Sequence, residues 1–196
     1  MRKALFRTAI VVLAQVLSAH AALPVQDGKV LPFKRMEVRL EDFTAEVAEA
    51  SGVRIVHDKR EFKDSMKVAL ESNRPLSAEE LLEIYKEALA DNGFTGLSEA
   101  GGLRVIDARD VRYHAVPLYQ GEHFPKNMDY ILYHFSFKYP VARDLSRTMR
   151  PFLSRYGRVI EFGGGTQALV QDYGRYIANM VNMARSLDTE VNFKAL

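Results

Sequence analysis

The sequence predicts an α+β fold built from two small modules in series. Three observations carry this. Apolar spacing switches repeatedly between the period of two expected of strands and the 3.6 expected of helices. Helix-stop and helix-start residues fall between those segments. The 196 residues, 47% hydrophobic and 27% charged, are enough for one or two compact domains and too ordered in composition for a disordered chain. The predicted order is β-α-β-β-α-β-β over residues 30–107 and β-α-β-β-α over 130–188, with a connector at 108–129 and a tail at 189–196.

The first 21 residues have the make-up of an export signal. Arg2, Lys3 and Arg7 form a basic start, residues 9–17 are apolar apart from Gln15, and Ala19-His20-Ala21 supplies the small-x-small cleavage pattern. The apolar run falls short of the about 20 residues needed to span a bilayer. Cleavage after Ala21 is therefore expected, leaving 22–29 as a mature N-terminal tail, a periplasmic protein and no membrane span. The leader's charges are all basic, so its loss turns the formal +2 into a slight negative balance. That argues against a nucleic-acid partner, which calls for a concentrated basic face. The absence of cysteine excludes a lipid-anchored N-terminus, disulfides and thiolate metal sites.

In the first module, residues 33–38 predict a strand carrying Phe33, Met36 and Val38. A helix over 41–50 follows, with Phe43, Val47 and Ala50 at helical spacing and Glu41 and Asp42 in its first turn, where the helix dipole favours anions. Gly52 is placed to stop it. Residues 53–56 and 67–70 predict strands, the second with Met66, Val68 and Leu70 on one face. Ser77-Ala78-Glu79-Glu80 is a capping box, and Leu81, Ile84, Tyr85, Ala88 and Leu89 line the helix after it. Asn92-Gly93 ends that helix, and residues 94–97 and 103–106 form a hairpin about a glycine-bearing turn.

In the second module, Ile131, Tyr133, Phe135 and Phe137 alternate along a strand over 131–137. A helix over 141–152 follows, apolar at Val141, Leu145, Met149 and Phe152, with Pro151 near its end. Strands at 158–162 and 168–171 flank Gly163-Gly164-Gly165-Thr166. Asp172 is placed to cap a last helix with Ile177, Met180, Val181, Ala184 and Leu187 on one stripe.

Taken in order, these segments resemble the periplasmic part of the outer-membrane secretins of type II secretion and type IV pili. In the first module the resemblance is carried by Val38-Arg39-Leu40-Glu41-Asp42-Phe43, Ser51-Gly52-Val53-Arg54-Ile55-Val56-His57-Asp58, Lys67-Val68-Ala69-Leu70, Arg74-Pro75-Leu76-Ser77-Ala78-Glu79-Glu80, Asn92-Gly93-Phe94 and Leu103-Arg104-Val105-Ile106. The second module is similar to the KH-like ring-building domain that follows in secretins. Its matching text is Phe137-Lys138-Tyr139-Pro140-Val141-Ala142-Arg143-Asp144-Leu145, Arg150-Pro151-Phe152-Leu153-Ser154 and the segments 178–181 and 186–188. The sequence holds no run of alternating barrel strands and no second KH-like repeat. What the resemblance implies is therefore the role of the periplasmic domains: protein partners, either secretion-system components or a full-length secretin, and side-by-side packing of like domains as a homo-oligomer, near the outer membrane through a partner.

Candidate sites follow from that reading. The first strand, with Phe33, Met36 and Val38, is the expected partner-binding edge. Arg143, Arg147, Arg150, Arg155 and Arg158 gather around one helix and its exit. They read either as a solvated face or as an inter-subunit contact with acids of a neighbour. No cofactor, metal or catalytic residue is expected. The five histidines lack ligand spacing, the glycine run lacks the lysine of a phosphate loop, and no Gly-x-x-Gly loop of an RNA-binding KH domain lies in the second module. The tyrosines and phenylalanines of the connector leave open a second function, a stand-alone module that binds cell-wall glycan or peptide. A third reading is a truncated secretin without a role of its own.

Overall fold

The structure is a computed structural model that describes residues 22–58, 62–140 and 147–189, without the side chains of Arg35 and Met36. It is a mixed α+β fold, as predicted. The chain enters through a hairpin of β1 (Val25–Gln26) and β2 (Lys29–Val30). Asp27-Gly28 makes the turn with φ of 51° and 72°, the positive pair that a two-residue hairpin requires. Residues 22–29, expected as a tail, are thus tied down. Leu23 and Val30 are buried in the core, and Val30 and Leu76 exchange backbone hydrogen bonds of 2.9 and 2.8 Å.

β3 (Phe33–Arg39) feeds α1 (Leu40–Ser51) and pairs antiparallel with β5 (Lys67–Ser72). The pairing breaks between Arg35 and Val38, where Glu37 adopts φ 56°. Leu40, Phe43 and Val47 bury one stripe of α1, and Gly52 closes it in the left-handed conformation. β4 (Ile55–Val56) lies parallel to β7 (Gly102–Asp107), which pairs antiparallel with β6 (Phe94–Glu99). α2 (Ala78–Asp91) begins with the capping box in full. Glu80 N–H donates to Ser77 Oγ (3.2 Å) and Ser77 N–H donates to the Glu80 carboxylate (2.9 Å). The Arg74 guanidinium, with the Ser77 amide, holds the Glu80 carboxyl down at about 2. α1 and α2 meet through Phe43 and Tyr85, and the Thr44 and Tyr85 hydroxyls lie 2.9 Å apart.

The rest of the chain forms a four-stranded sheet in the order β10-β11-β9-β8, from β8 (Leu118–Gln120), β9 (Tyr130–Ser136), β10 (Arg158–Phe162) and β11 (Gln167–Tyr173). β11 is antiparallel to both β10 and β9, and β8 runs parallel to β9. α3 (Gly174–Leu187) covers one face together with helical residues 147–149 and the 3-10 turn Arg150–Phe152. Ile131, Tyr133, Phe135, Ala168 and Val170 pack there against Met149, Ile177, Met180, Val181 and Ala184. Part of the helix expected over 141–152, residues 141–146 with Arg143, lies outside the described residues.

Two local expectations are corrected. The segment 108–129 is not a plain connector, because it supplies β8 and buries Val111 and Met128. Asp172 does not cap α3. It lies fully buried within β11, one residue before the strand ends, where its carboxyl accepts the amides of Ser154 (2.7 Å) and Tyr173 (2.8 Å), and burial pushes its pKa up.

A junction joins the two halves. Leu97, Val111, Met128, Tyr130 and Tyr173 form a shared apolar cluster. Beside it Lys86 of α2, its side chain only 10% exposed, reaches Asp129 at 2.6 Å and Glu83 at 2.8 Å. The other oxygen of Glu83 accepts the Met128 amide at 2.8 Å. Desolvation, the largest single influence on Lys86, lowers its pKa, but the two carboxylates together outweigh it and leave the ammonium more basic than usual. On the α3 side, Gly174 N–H donates to Asp129 O (2.9 Å) and Arg175 N–H to Asn127 O (2.8 Å). A Cβ on Gly174 would overlap the Pro125 carbonyl, so only glycine permits this approach.

Candidate docking surfaces

β3 presents two different sides. One backbone edge is held by β5, and among the described residues no strand pairs the other. Of the side chains expected to bind a partner, Phe33 is buried in the core and Val38 is packed against it. Met36 lies within the break in the β3–β5 register. Recognition along β3 would therefore be made by main-chain amides and carbonyls, with the bulge at Glu37 setting the twist. The exposed character of this strand is charged. Lys34 pairs with Glu71 at 3.4 Å, Lys67 with Glu37 at 3.2 Å, and Arg39 binds Asp42 at 2.7 Å and Asp64 at 3.1 Å.

The described arginines do not share one patch. Arg150 donates to the Gly157 carbonyl at 2.6 Å, tying the 3-10 turn to the start of β10. Arg155 lies over the Tyr156 ring, 5.8 Å from its centroid, in a groove of about 620 Å³ at the junction that Asn92, Gly93, Asp107 and Arg109 also line. Arg158 faces away from the helices on β10, and Arg147 is exposed ahead of the 3-10 turn. Sequence spacing placed these residues near one helix, but the turn at 153–157 reverses the chain and sends them to different faces.

The aromatic residues are dispersed as well. Tyr133 is buried and touches Phe124 and Phe135, while Tyr130 and Tyr173 meet edge-to-face in the junction. Of the connector aromatics, Tyr113 stands out at 72% exposed, with the Arg112 guanidinium 4.6 Å from its centroid. His57 stacks on Phe62 and His134 on Phe162. Among the described residues no helix is long and apolar enough to cross a membrane.

A surface that sequence reasoning missed is the open face of the four-stranded sheet. Leu118, Ile160 and Phe162 stand there 61%, 51% and 40% exposed, beside His134. The signal was the alternation of β10 itself, in which Arg158, Ile160 and Phe162 share a face opposite Val159.

With this geometry in hand, comparison with solved structures is informative. The chain matches a chain of the Klebsiella pneumoniae type II secretion system outer membrane complex of PulD, PulS and the PulC HR domain. The TM-score is 0.63 at 18% identity, covering 78% of this chain and 26% of that one. At that identity the likeness is one of fold. The N-terminal domain of the secretin XcpQ from Pseudomonas aeruginosa also matches this chain, at 17% identity and TM-score 0.36, over 81% of this chain and 65% of that one. The enterotoxigenic Escherichia coli GspC–GspD complex matches at 12% identity and TM-score 0.32, over 80% of this chain and 98% of that one. This chain thus spans just under two thirds of the XcpQ domain. No protein-family model matches the sequence, and no curated protein does.

Proposed function

We propose that this chain is a non-enzymatic, secretin-like periplasmic protein that docks and assembles components of an outer-membrane secretion or pilus machine. In this reading residues 30–107 act as the opening secretin domain and residues 130–188 as the KH-like ring-building domain. The leader directs the chain to the periplasm and is removed after Ala21. The partners are other secretion-system proteins or a full-length secretin, held by strand addition along β3 and by side-by-side packing of the second module. Two observations support the reading. The fold matches, at TM-score 0.63, a chain of a type II secretion outer membrane complex, and β3 keeps one backbone edge without a partner strand among the described residues.

The test uses Met36→Pro. Proline removes one amide donor, and at a bulge a strand tolerates it. Met36 sits in the gap of the β3–β5 register, so the fold should survive. Binding to the soluble domains of the inner-membrane secretion component, and to a detergent-solubilised full-length secretin, should fall at least tenfold. Capture undiminished by a folded Met36→Pro protein refutes strand addition. Retention of the wild-type chain on purified peptidoglycan, without capture of either protein, would favour the glycan-binding reading instead.

A further inference from the structure

An edge strand with unpaired amides and carbonyls is a template for another strand, and proteins blunt such edges with bulges, charges, proline or short length. Two of the edges in this molecule are blunted. β3 carries the bulge at Glu37 and the charges of Lys34 and Arg39. β8 is three residues long and follows Pro117. β10 is longer than β8 and lacks the bulge of β3, and its two charged residues, Arg158 and Glu161, are of opposite sign on opposite faces. Its register with β11 runs unbroken from Arg158↔Gln171 to Phe162↔Gln167, it contains no proline or lysine, and among the described residues no strand lies on its outer side. It also exposes two large apolar side chains, Ile160 and Phe162.

The pattern of β10 is self-complementary. We infer that two copies of this chain join edge to edge through β10, antiparallel about a two-fold axis through Ile160. In that register Ile160 lies opposite the partner's Ile160, and Arg158 lies opposite the partner's Phe162. Opposed residues share a face in an antiparallel pair, so all of these contacts fall on the open side of the sheet, away from α3. The two apolar residues gain cover there, and each guanidinium gains an aromatic ring, which attracts it electrostatically. Neighbouring registers are worse. Centring on Glu161 sets two carboxylates against each other and leaves Arg158 facing the glycine turn. Centring on Val159 leaves Phe162 without a partner. A two-fold pair is closed and isologous, so the result is a dimer with one continuous eight-stranded sheet, not a fibre.

The contact is small. Stable interfaces bury about 800 Å² on each partner, and five residues of strand edge cover less. Association is therefore weak and is best read by trapping. The chain has no cysteine, so a single introduced thiol reports unambiguously. Directly opposed residues in this register have Cα atoms about 4.5–5.5 Å apart, within the range that a disulfide spans. The full chain carrying Ile160→Cys, in a glutathione redox buffer, should become mainly a covalent dimer. The full chain carrying Tyr113→Cys, more exposed than Ile160 but off this edge, should yield at least tenfold less. Adding Phe162→Lys to Ile160→Cys opposes two cations and should cut the dimer yield about tenfold. Adding Arg158→Glu as well opposes unlike charges and should restore it. Tyr113, Ile160 and Phe162 are exposed and Arg158 is half-buried on the open face, so circular dichroism and melting of each variant should match the parent. A monomeric Ile160→Cys chain, a rate no greater than that of Tyr113→Cys, or indifference to Phe162→Lys would overturn the pairing. None of these outcomes bears on β3 docking, which uses a different edge.

Discussion

Lys86 is the residue whose loss should most change how the two halves behave. Its ammonium sits between Asp129 at 2.6 Å and Glu83 at 2.8 Å, and the two acceptor side chains are 29% and 27% exposed. Lys86→Met keeps the apolar stem but leaves two carboxylates close together without a cation. Breaking a fully buried pair by removing one partner costs about 3–5 kcal/mol. Water reaches these carboxylates, so about 2–4 kcal/mol is the expected loss once that exposure is allowed for. For a chain of this size each kcal/mol moves the melting temperature by roughly 2–4 °C, which makes a fall of about 6–12 °C the central expectation.

The assay is thermal unfolding by calorimetry together with amide exchange at Met128, Gly174 and Arg175, whose N–H groups are bonded within the junction. Those amides should lose protection before the core of either half. A double-mutant cycle with Asp129→Leu isolates the pair, because residues in one network couple. The double variant should be more stable than Lys86→Met alone, since Asp129→Leu removes one of the two stranded carboxylates and with it their mutual repulsion. The pH dependence has a definite sign. Lys86 binds its proton more tightly folded than unfolded. Its contribution is complete below the ordinary lysine value of about 10.4 and is lost as pH rises beyond it. A loss under about 1 kcal/mol, the size of a surface pair, or strictly additive single variants, would refute the lock.

Three further outcomes test the local readings. Ser77→Ala removes the acceptor for the Glu80 amide and should cost about 1 kcal/mol, read from urea midpoints. The Glu80 carboxyl is held down at about 2, so its contribution is present above the ordinary value of 4.5 and fades as pH falls toward 2; a carboxyl titration by NMR that finds Glu80 near 4.5 would contradict this. Gly157→Ala drives a Cβ into the Asp172 carboxyl, which holds the Ser154 and Tyr173 amides. Overpacking of this kind costs about 1–3 kcal/mol, and exchange should rise at those two amides while Glu80 and the α2 amides stay protected.

The elements that were legible in the sequence are those whose signals are local. The Ser77–Glu80 box, the stop at Gly52 and the stripe Ile177, Met180, Val181, Ala184 each need a few neighbouring residues and a period, and the structure places all of them where the pattern does. β1, β2 and β8 were missed because two or three residues carry no period. They are held by partners distant in sequence, Val30 by Leu76 and Leu118 by Leu132. Asp172 was misplaced for a related reason. A carboxylate just ahead of a helix is a cap by local rule, and here the amide of Ser154, brought in by the turn before β10, takes it instead. The same limit governs the surfaces. That β3 begins with apolar residues can be read from sequence, but whether those residues face solvent or core depends on the helices behind them, and Phe33 and Val38 turn inward. What a partner can still meet at β3 is backbone, whose edge is defined by what does not pair with it. Ile160 and Phe162 are the converse case. Their alternation gives the sheet a second apolar side, and Ile160 and Phe162 stay exposed on it, away from the end that the junction covers. An apolar side chain without a local cover is where one chain's sequence ends as a guide and a second chain becomes part of the argument.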